Sequence, residues 1–396
     1  MEPLDAAGAL AVLPPSTLLI SYLVGEQRSL VFALGRAHGN APAFVDAAAI
    51  ELGRDELVAA VDELREAVQQ RDEGFSEQAR ELWRRLLGPV AERIDGFENL
   101  LISPDGPLHT LPFQVLIDDG GRYLVERAAV ATVQSATLLR TLRQLPAANG
   151  DAPIVVLADP HLPDAGSPAA ERLGGELAAL GPLPAAAREA RALSDRFPGR
   201  VVVLGGREAR EDRFRSLAPA ARWIHIASHG FVDERVPLDS GLVLAPAPEV
   251  AAGVVDRRAD GLLQAWEIFE SLDLRADLVT LSACETGLGA ERFSEGLVGL
   301  TRAFQYAGAR SIVASLWQVS DESTAELMDR FYEALSAGRP KSEALRAAQL
   351  ALLKGSAPTD SERTRAVGGV APARGAAAEH AHPYHWAAFQ LIGDLD

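Results

Sequence analysis

The sequence predicts an α/β protein built on a mostly parallel sheet flanked by helices. Short runs at 154–158, 201–204, 223–227 and 311–316 are predominantly apolar rather than alternating, which marks strands covered on both faces. Segments with helical spacing stand between them, as a parallel sheet requires for its crossovers. At 396 residues and 48% hydrophobic content the chain can bury a sizeable core, as one large α/β unit or two domains.

Composition narrows the function. The net charge is −17 and acidic residues dominate almost throughout, which argues against a nucleic-acid partner, because neutralising phosphates takes a basic face. Lys341 and Lys354 are the only lysines, so neither a Walker A loop nor a Schiff-base lysine at a strand end is expected. The glycine pairs Gly174-Gly175 and Gly205-Gly206 lie in no G-x-G-x-x-G pattern. A single cysteine forbids an intramolecular disulfide, and the N-terminus carries no secretory pattern, so a cytoplasmic setting is expected. No apolar run reaches the length of a membrane span. No cofactor is called for. His380, His382 and His385 form an H-x-H-x-x-H run, but its lead-in is Gly/Ala-rich, no cysteine accompanies it and no metal site is expected.

Residues 1–16 are a small, apolar lead-in ending at Pro14-Pro15. The β-rich runs 17–24 and 29–34 flank Gly25-Glu26-Gln27, a hairpin signal. A helix over 55–70 aligns Leu57, Val61, Leu64 and Val68, and a second over 76–94 aligns Ala79, Leu82, Trp83, Leu86, Val90 and Ile94, with a break or kink at Gly88-Pro89. Next come a strand at 100–103, a Pro104-Asp105-Gly106-Pro107 turn, and a segment in which His109 reads as structural. A strand at 128–133 feeds a helix at 136–144 that Ser135 can cap. Residues 145–152 read as a linker, dividing the chain into an N-terminal half, 1–148, and a second half, 149–396.

Beyond the linker the order is strand 154–158, a Pro/Gly-rich loop 159–184, helix 185–197, strand 201–204, helix 207–217 and strand 223–227. A long excursion follows His229, with a strand at 242–244. Helix 264–271, strand 278–281, helix 293–306, strand 311–316, helices 321–335 and 341–353, a loop 355–379 and a terminal strand 387–392 complete the chain. No internal repeat is visible.

Two of these strands end in reactive residues. The run 223–227 leads into Ser228-His229-Gly230, and 278–281 leads into Ser282-Ala283-Cys284-Glu285-Thr286-Gly287. In an open parallel sheet, functional groups gather beyond the carboxyl ends of the strands. If the two strands are neighbours, about 4.8 Å apart, their trailing side chains can meet. A free thiol is only roughly 3% thiolate at neutral pH, so Cys284 needs an imidazole beside it, and the same His229 can protonate a leaving amine. Gly230 lets its amide face a developing oxyanion, with the Cys284 amide as second donor. A backbone carbonyl could orient His229 as well as a carboxylate could.

His229-Gly230 after one strand, followed about 55 residues later by Ala283-Cys284, resembles the order and spacing of caspase-type cysteine peptidases. The closer similarity is to the CHAT family of that clan, related to separase. It runs through Ile102-Ser103-Pro104-Asp105-Gly106-Pro107-Leu108-His109, Ala227-Ser228-His229-Gly230, Ser240-Gly241-Leu242 and Leu281 to Gly287. It continues through Gly299-Leu300-Thr301-Arg302-Ala303-Phe304, Ser315-Leu316-Trp317-Gln318-Val319-Ser320-Asp321 and Trp386-Ala387-Ala388-Phe389.

The resemblance implies a caspase-like α/β fold with a pseudo-caspase-like N-terminal half and a catalytic second half. It implies a cysteine endopeptidase in which Cys284 attacks and His229 is the acid and base. Ser282-Ala283-Cys284-Glu285 stands where caspases carry Gln-Ala-Cys-Arg, so aspartate preference is not carried over. The stretch holding Ser315, Trp317 and Asp321 resembles the substrate groove, and an aspartate there implies cleavage after Arg or Lys; as a plain reading of position, Asp321 also suits a helix cap. A protein or peptide substrate is implied, with a role in bacterial defence or cell death. The TPR repeats that many relatives carry are missing, which makes a separately encoded activator or TPR-type regulator the natural substitute. The rival reading is a catalytically silent scaffold that binds a partner in the same groove; a third is an acyltransferase or amidase using the same dyad.

Overall fold

The computed structural model describes residues 2–36, 43–164, 166–173, 180–231, 233, 236–247, 259–282, 293–355 and 380–396. By proximity of the backbone the chain falls into two compact units, Met1–Gln144 with Glu333–Asp396, and Leu145–Tyr332. The chain leaves the first unit, builds the second, and returns.

In the first unit the sheet runs in the order β3-β2-β1-β4-β5-β14, with β1 at Thr17–Leu23, β2 at Ser29–Arg36, β3 at Ala43–Ile50, β4 at Asn99–Ser103, β5 at Ala129–Thr132 and β14 at Phe389–Gly393. The hairpin at Gly25-Glu26-Gln27 forms, and β3 extends it antiparallel. The sequence did not single out β3, whose alternation is carried mainly by alanines. The β1–β4, β4–β5 and β5–β14 pairs are parallel. Helix Arg54–Gln69 fully buries Leu57, Val61, Leu64 and Val68, the stripe that its spacing predicts.

The second predicted helix breaks earlier than Gly88-Pro89. It is regular over Phe75–Leu82, widens to a π turn over Trp83–Leu87 and tightens to 3-10 over Gly88–Val90. Pro89 has no N–H for the carbonyl four residues back, and its ring would collide with it, so the ladder opens a turn upstream. Ser135 caps helix Ala136–Gln144 through the Leu138 amide at 3.1 Å. The side-chain amides of Gln114 and Gln349 both donate to the Phe389 carbonyl, at 3.2 and 3.1 Å, tying β14 to the unit's core. His382 packs edge-on against Phe75 and its Nδ1 accepts from the Tyr384 amide. Among the described residues no three metal-ligating side chains converge.

The second unit holds the parallel series. Its main sheet has the order β13-β12-β8-β6-β7, with β6 at Ile154–Pro160, β7 at Val201–Gly206, β8 at Trp223–Ala227, β12 at Leu278–Leu281 and β13 at Ser311–Ser315. Every pair in it is parallel. All five residues of β8, all four of β12 and all five of β13 are buried, as continuous apolar runs predict. The helix expected from 207 starts at Glu211, because Gly206 turns through a φ of 54° first. Three short strands form a separate antiparallel sheet: β9 (His229–Phe231), β10 (Gly241–Val243) and β11 (Leu262–Gln264). A Cβ on Gly241 would lie 2.3 Å from the Leu263 carbonyl oxygen, so only glycine allows β10 and β11 to approach there. No helix among the described residues is long and apolar enough to cross a membrane.

Candidate active site

The strand order of the second unit reverses at one place. From β6 the chain steps outward to β7, then returns to the other side of β6 for β8 and proceeds to β12 and β13. The crevice beyond the carboxyl ends of β6 and β8 is therefore the switch point, where such sheets carry their ligands. His229 follows β8 with only Ser228 between them. Strand β12, which leads to Cys284, lies beside β8 in parallel register, with Thr280 opposite His225 and Leu281 opposite Ile226. Cys284 itself lies outside the described residues, as do Ala283 and Glu285 to Gly287.

His229 is 5% exposed. Its Nε2 donates to the Gly181 carbonyl at 2.7 Å. A carbonyl can only accept, so Nε2 carries a proton, and in the neutral ring the lone pair is on Nδ1. Among the described residues Nδ1 has no hydrogen-bond partner. The ring is thus held by a backbone carbonyl from the loop before helix Pro184–Arg196. In β9, His229 is paired with Val243 and Gly230 with Leu242. A Cβ on Gly230 would meet the Gly241 carbonyl oxygen at 3.7 Å, an ordinary contact, so packing alone does not demand glycine there.

Beneath this site lies a buried polar network that the sequence did not disclose. The Ser282 hydroxyl donates to Glu189 Oε2 at 2.8 Å, and His225 Nε2 lies 2.9 Å from the same oxygen. His225 Nδ1 meets the Tyr332 hydroxyl at 3.0 Å, and that hydroxyl donates to Thr280 at 2.9 Å. Burial pushes the Tyr332 phenol well above its ordinary range, with Thr280 pulling it down and Glu189 adding to the rise, so it remains a neutral donor. His225, Thr280 and Ser282 share one face of β8 and β12, and Glu189 and Tyr332 satisfy them. The signal available in the sequence was the presence of a histidine and a threonine inside strands that are otherwise wholly apolar. Such residues must find partners.

The residues proposed for the substrate groove begin with Ser315, the last residue of β13, and continue beyond that strand, the neighbour of β12, at the same carboxyl edge. Ser315 and Trp317 are 2% and 3% exposed, and the Ser315 hydroxyl donates to the Trp317 carbonyl. Asp321 is the first residue of helix Asp321–Ser336 and is exposed. The capping position is taken by Ser320, whose hydroxyl is 2.7 Å from that of Ser323 and whose carbonyl accepts the Thr324 amide.

Comparison with known proteins agrees with this architecture. A chain of the Saccharomyces cerevisiae separase–securin crystal structure superposes with a TM-score of 0.51 at 8% identity, covering 97% of this chain and 30% of that one, a likeness of fold. Tetratricopeptide repeat protein 28 of Homo sapiens is 26% identical over 344 residues, and that of Mus musculus 26% over 343. Each match covers 77% of this chain and 12% of the relative, so this chain spans only about an eighth of their length. The family model described as the CHAT domain matches residues 76–394. The chain belongs to the CHAT family, and its mixed α/β fold, with a large mostly parallel sheet flanked by helices, is shared with that separase–securin chain.

Proposed function

We propose that the chain is a cysteine endopeptidase working through Cys284 and His229. The observation that carries this reading is the state of His229. A strand-end imidazole at the switch point has its Nε2 proton committed to the Gly181 carbonyl, and its buried Nδ1 has no partner among the described residues. Nδ1 takes the thiol proton, and the thiolate adds to the scissile carbonyl. The oxyanion is held by the amides of Gly230 and Cys284. Collapse breaks the C–N bond, and Nδ1–H delivers its proton to the departing amine, leaving a thioester. Water, deprotonated by Nδ1, then releases the acid and restores the thiol. The expected result is loss of proteolysis in Cys284→Ala and in His229→Ala with folding intact. Activity surviving in both variants would overturn the mechanism, and turnover of small amides without polypeptides would move the reading to an amidase.

Asp321 supplies the specificity in this proposal. An exposed carboxylate at the carboxyl edge of the sheet, released from capping by Ser320, suits a basic residue before the cut. Fluorogenic peptides carrying Arg, Lys, Asp or Leu at that position decide it. Arg and Lys peptides are expected to turn over, with a loss of roughly 100-fold in kcat/KM for them in Asp321→Ala. Turnover of the Asp peptide alone would refute the assignment. A protein target in bacterial defence or cell death, a cytoplasmic setting that keeps the one thiol reduced, and control by a separate TPR-type partner complete the proposal. The name of the tetratricopeptide repeat relatives supports that last part.

A further inference from the structure

The carbonyl that holds His229 stands between two anchors. On one side, Leu180 packs with Phe231 and Leu162 against a small core of Ala169, Val243 and Leu262. On the other, the Leu183 amide donates to Asp159 Oδ1 at 2.9 Å. Gly181 has no side chain, and a Cβ built there would meet nothing within 4 Å, so the place of its carbonyl is set by these flanking attachments.

Asp159 lies at the end of β6, across the switch point from His229. Its φ is 46°, in the left-handed region, although the following Pro160 favours extended backbone at that position. The pairing of β6 with β7 shifts register between Ala158 and Pro160 at the same point. Aspartate is among the few residues besides glycine that tolerate this backbone. A charged acceptor also grips a backbone N–H more firmly than a neutral one. The carboxylate fastens the chain two residues beyond the carbonyl that His229 needs.

We propose that Asp159 is a positioning residue for His229. Through the Leu183 amide it fixes the Gly181 carbonyl, and that carbonyl fixes the tautomer and orientation of the imidazole. The inference rests on His229 being the acid and base of the peptidase reading.

The test uses the full chain with Asp159→Gly and Asp159→Asn. Glycine adopts a φ of 46° without strain and removes only the acceptor. Asparagine keeps an Oδ1 acceptor and tolerates the same backbone. Two readouts are taken: kcat and KM on the peptide substrates, and the nitrogen NMR signals of His229, assigned with His229→Gln. The glycine variant is expected to lose about 100-fold in kcat with KM unchanged, the cost of a misplaced base. Its neutral imidazole is expected to change from the Nε2–H form to a mixture of tautomers. The asparagine variant should restore most of both. The tautomer is read without turnover, so a chain that cleaves no peptide overturns the peptidase reading while a mixed tautomer in Asp159→Gly still supports the positioning role. An Asp159→Gly chain with the wild-type tautomer overturns that role, whatever its activity.

Discussion

Glu211 is 1% exposed, and its chemistry ties the small sheet that carries His229 to pH. Its carboxyl accepts the Gly261 amide at 2.9 Å, just before β11, and Arg215 at 3.1 Å, a guanidinium that the equally buried Glu267 approaches at 3.5 Å. Burial first and Glu267 second push Glu211 up to about 8; Gly261 and Arg215 oppose the rise and Asp260 adds to it. An acid whose pKa is higher folded than unfolded binds its proton more tightly in the native state. Its contribution is full below the ordinary value of 4.5 and is lost as pH rises through about 8. Unfolding free energy should therefore fall across that window, and Glu211→Gln should flatten the fall by a few kcal/mol. Denaturant midpoints at several pH values measure this, and an unchanged slope in the variant would refute it. His229 itself was legible in the sequence, because a histidine at a strand end before a glycine is visible as letters. The Gly181 carbonyl was not, since a backbone acceptor carries no side-chain signature, and Glu189 reads on its helix like any surface acid.

Helix Pro184–Arg196 contributes more than cover for the sheet. Through Glu189 it reaches His225 on β8 and Ser282 beyond β12, so one carboxylate holds two neighbouring strands at the level of the site. Glu189→Ala leaves His225 Nε2 and the Ser282 hydroxyl buried without their acceptor, a loss of about 3–5 kcal/mol. Urea unfolding tests this, and a cost below about 1 kcal/mol would place the network outside the stabilising core. Strands β6, β8, β12 and β13 were legible because burial on both faces forces apolar runs, whereas the equally apolar run of β7 lies at the sheet edge and leaves Val202 and Val203 exposed. β9 and β11 were not legible, because three residues cannot display a period of two and, unlike the Leu242-Val243-Leu244 run that marks β10, neither is wholly apolar. The early break at Trp83 escaped for a different reason: Pro89 marks the sequence at one position and distorts the helix a turn before it.

Across the whole molecule, the first unit is made from both ends of the chain and the second from its uninterrupted middle. This nesting was not legible, since local spacing does not say that residues 333–396 return to the strands of the first 144. It has a testable consequence at Trp386, which is fully buried in the first unit, stacks edge-on to Tyr123 at 5.4 Å and donates its indole N–H to the Ala381 carbonyl at 3.0 Å. Trp386→Ala removes a large side chain from a packed core and should cost about 3–5 kcal/mol. The loss should not be uniform. Hydrogen exchange is expected to quicken first at the amides of β1, β4, β5 and β14, which belong to that unit, while β6, β8 and β12 keep their protection. Equal loss in both groups would mean that the two units open as one, and that a change at either end of the chain reaches His229 by global unfolding.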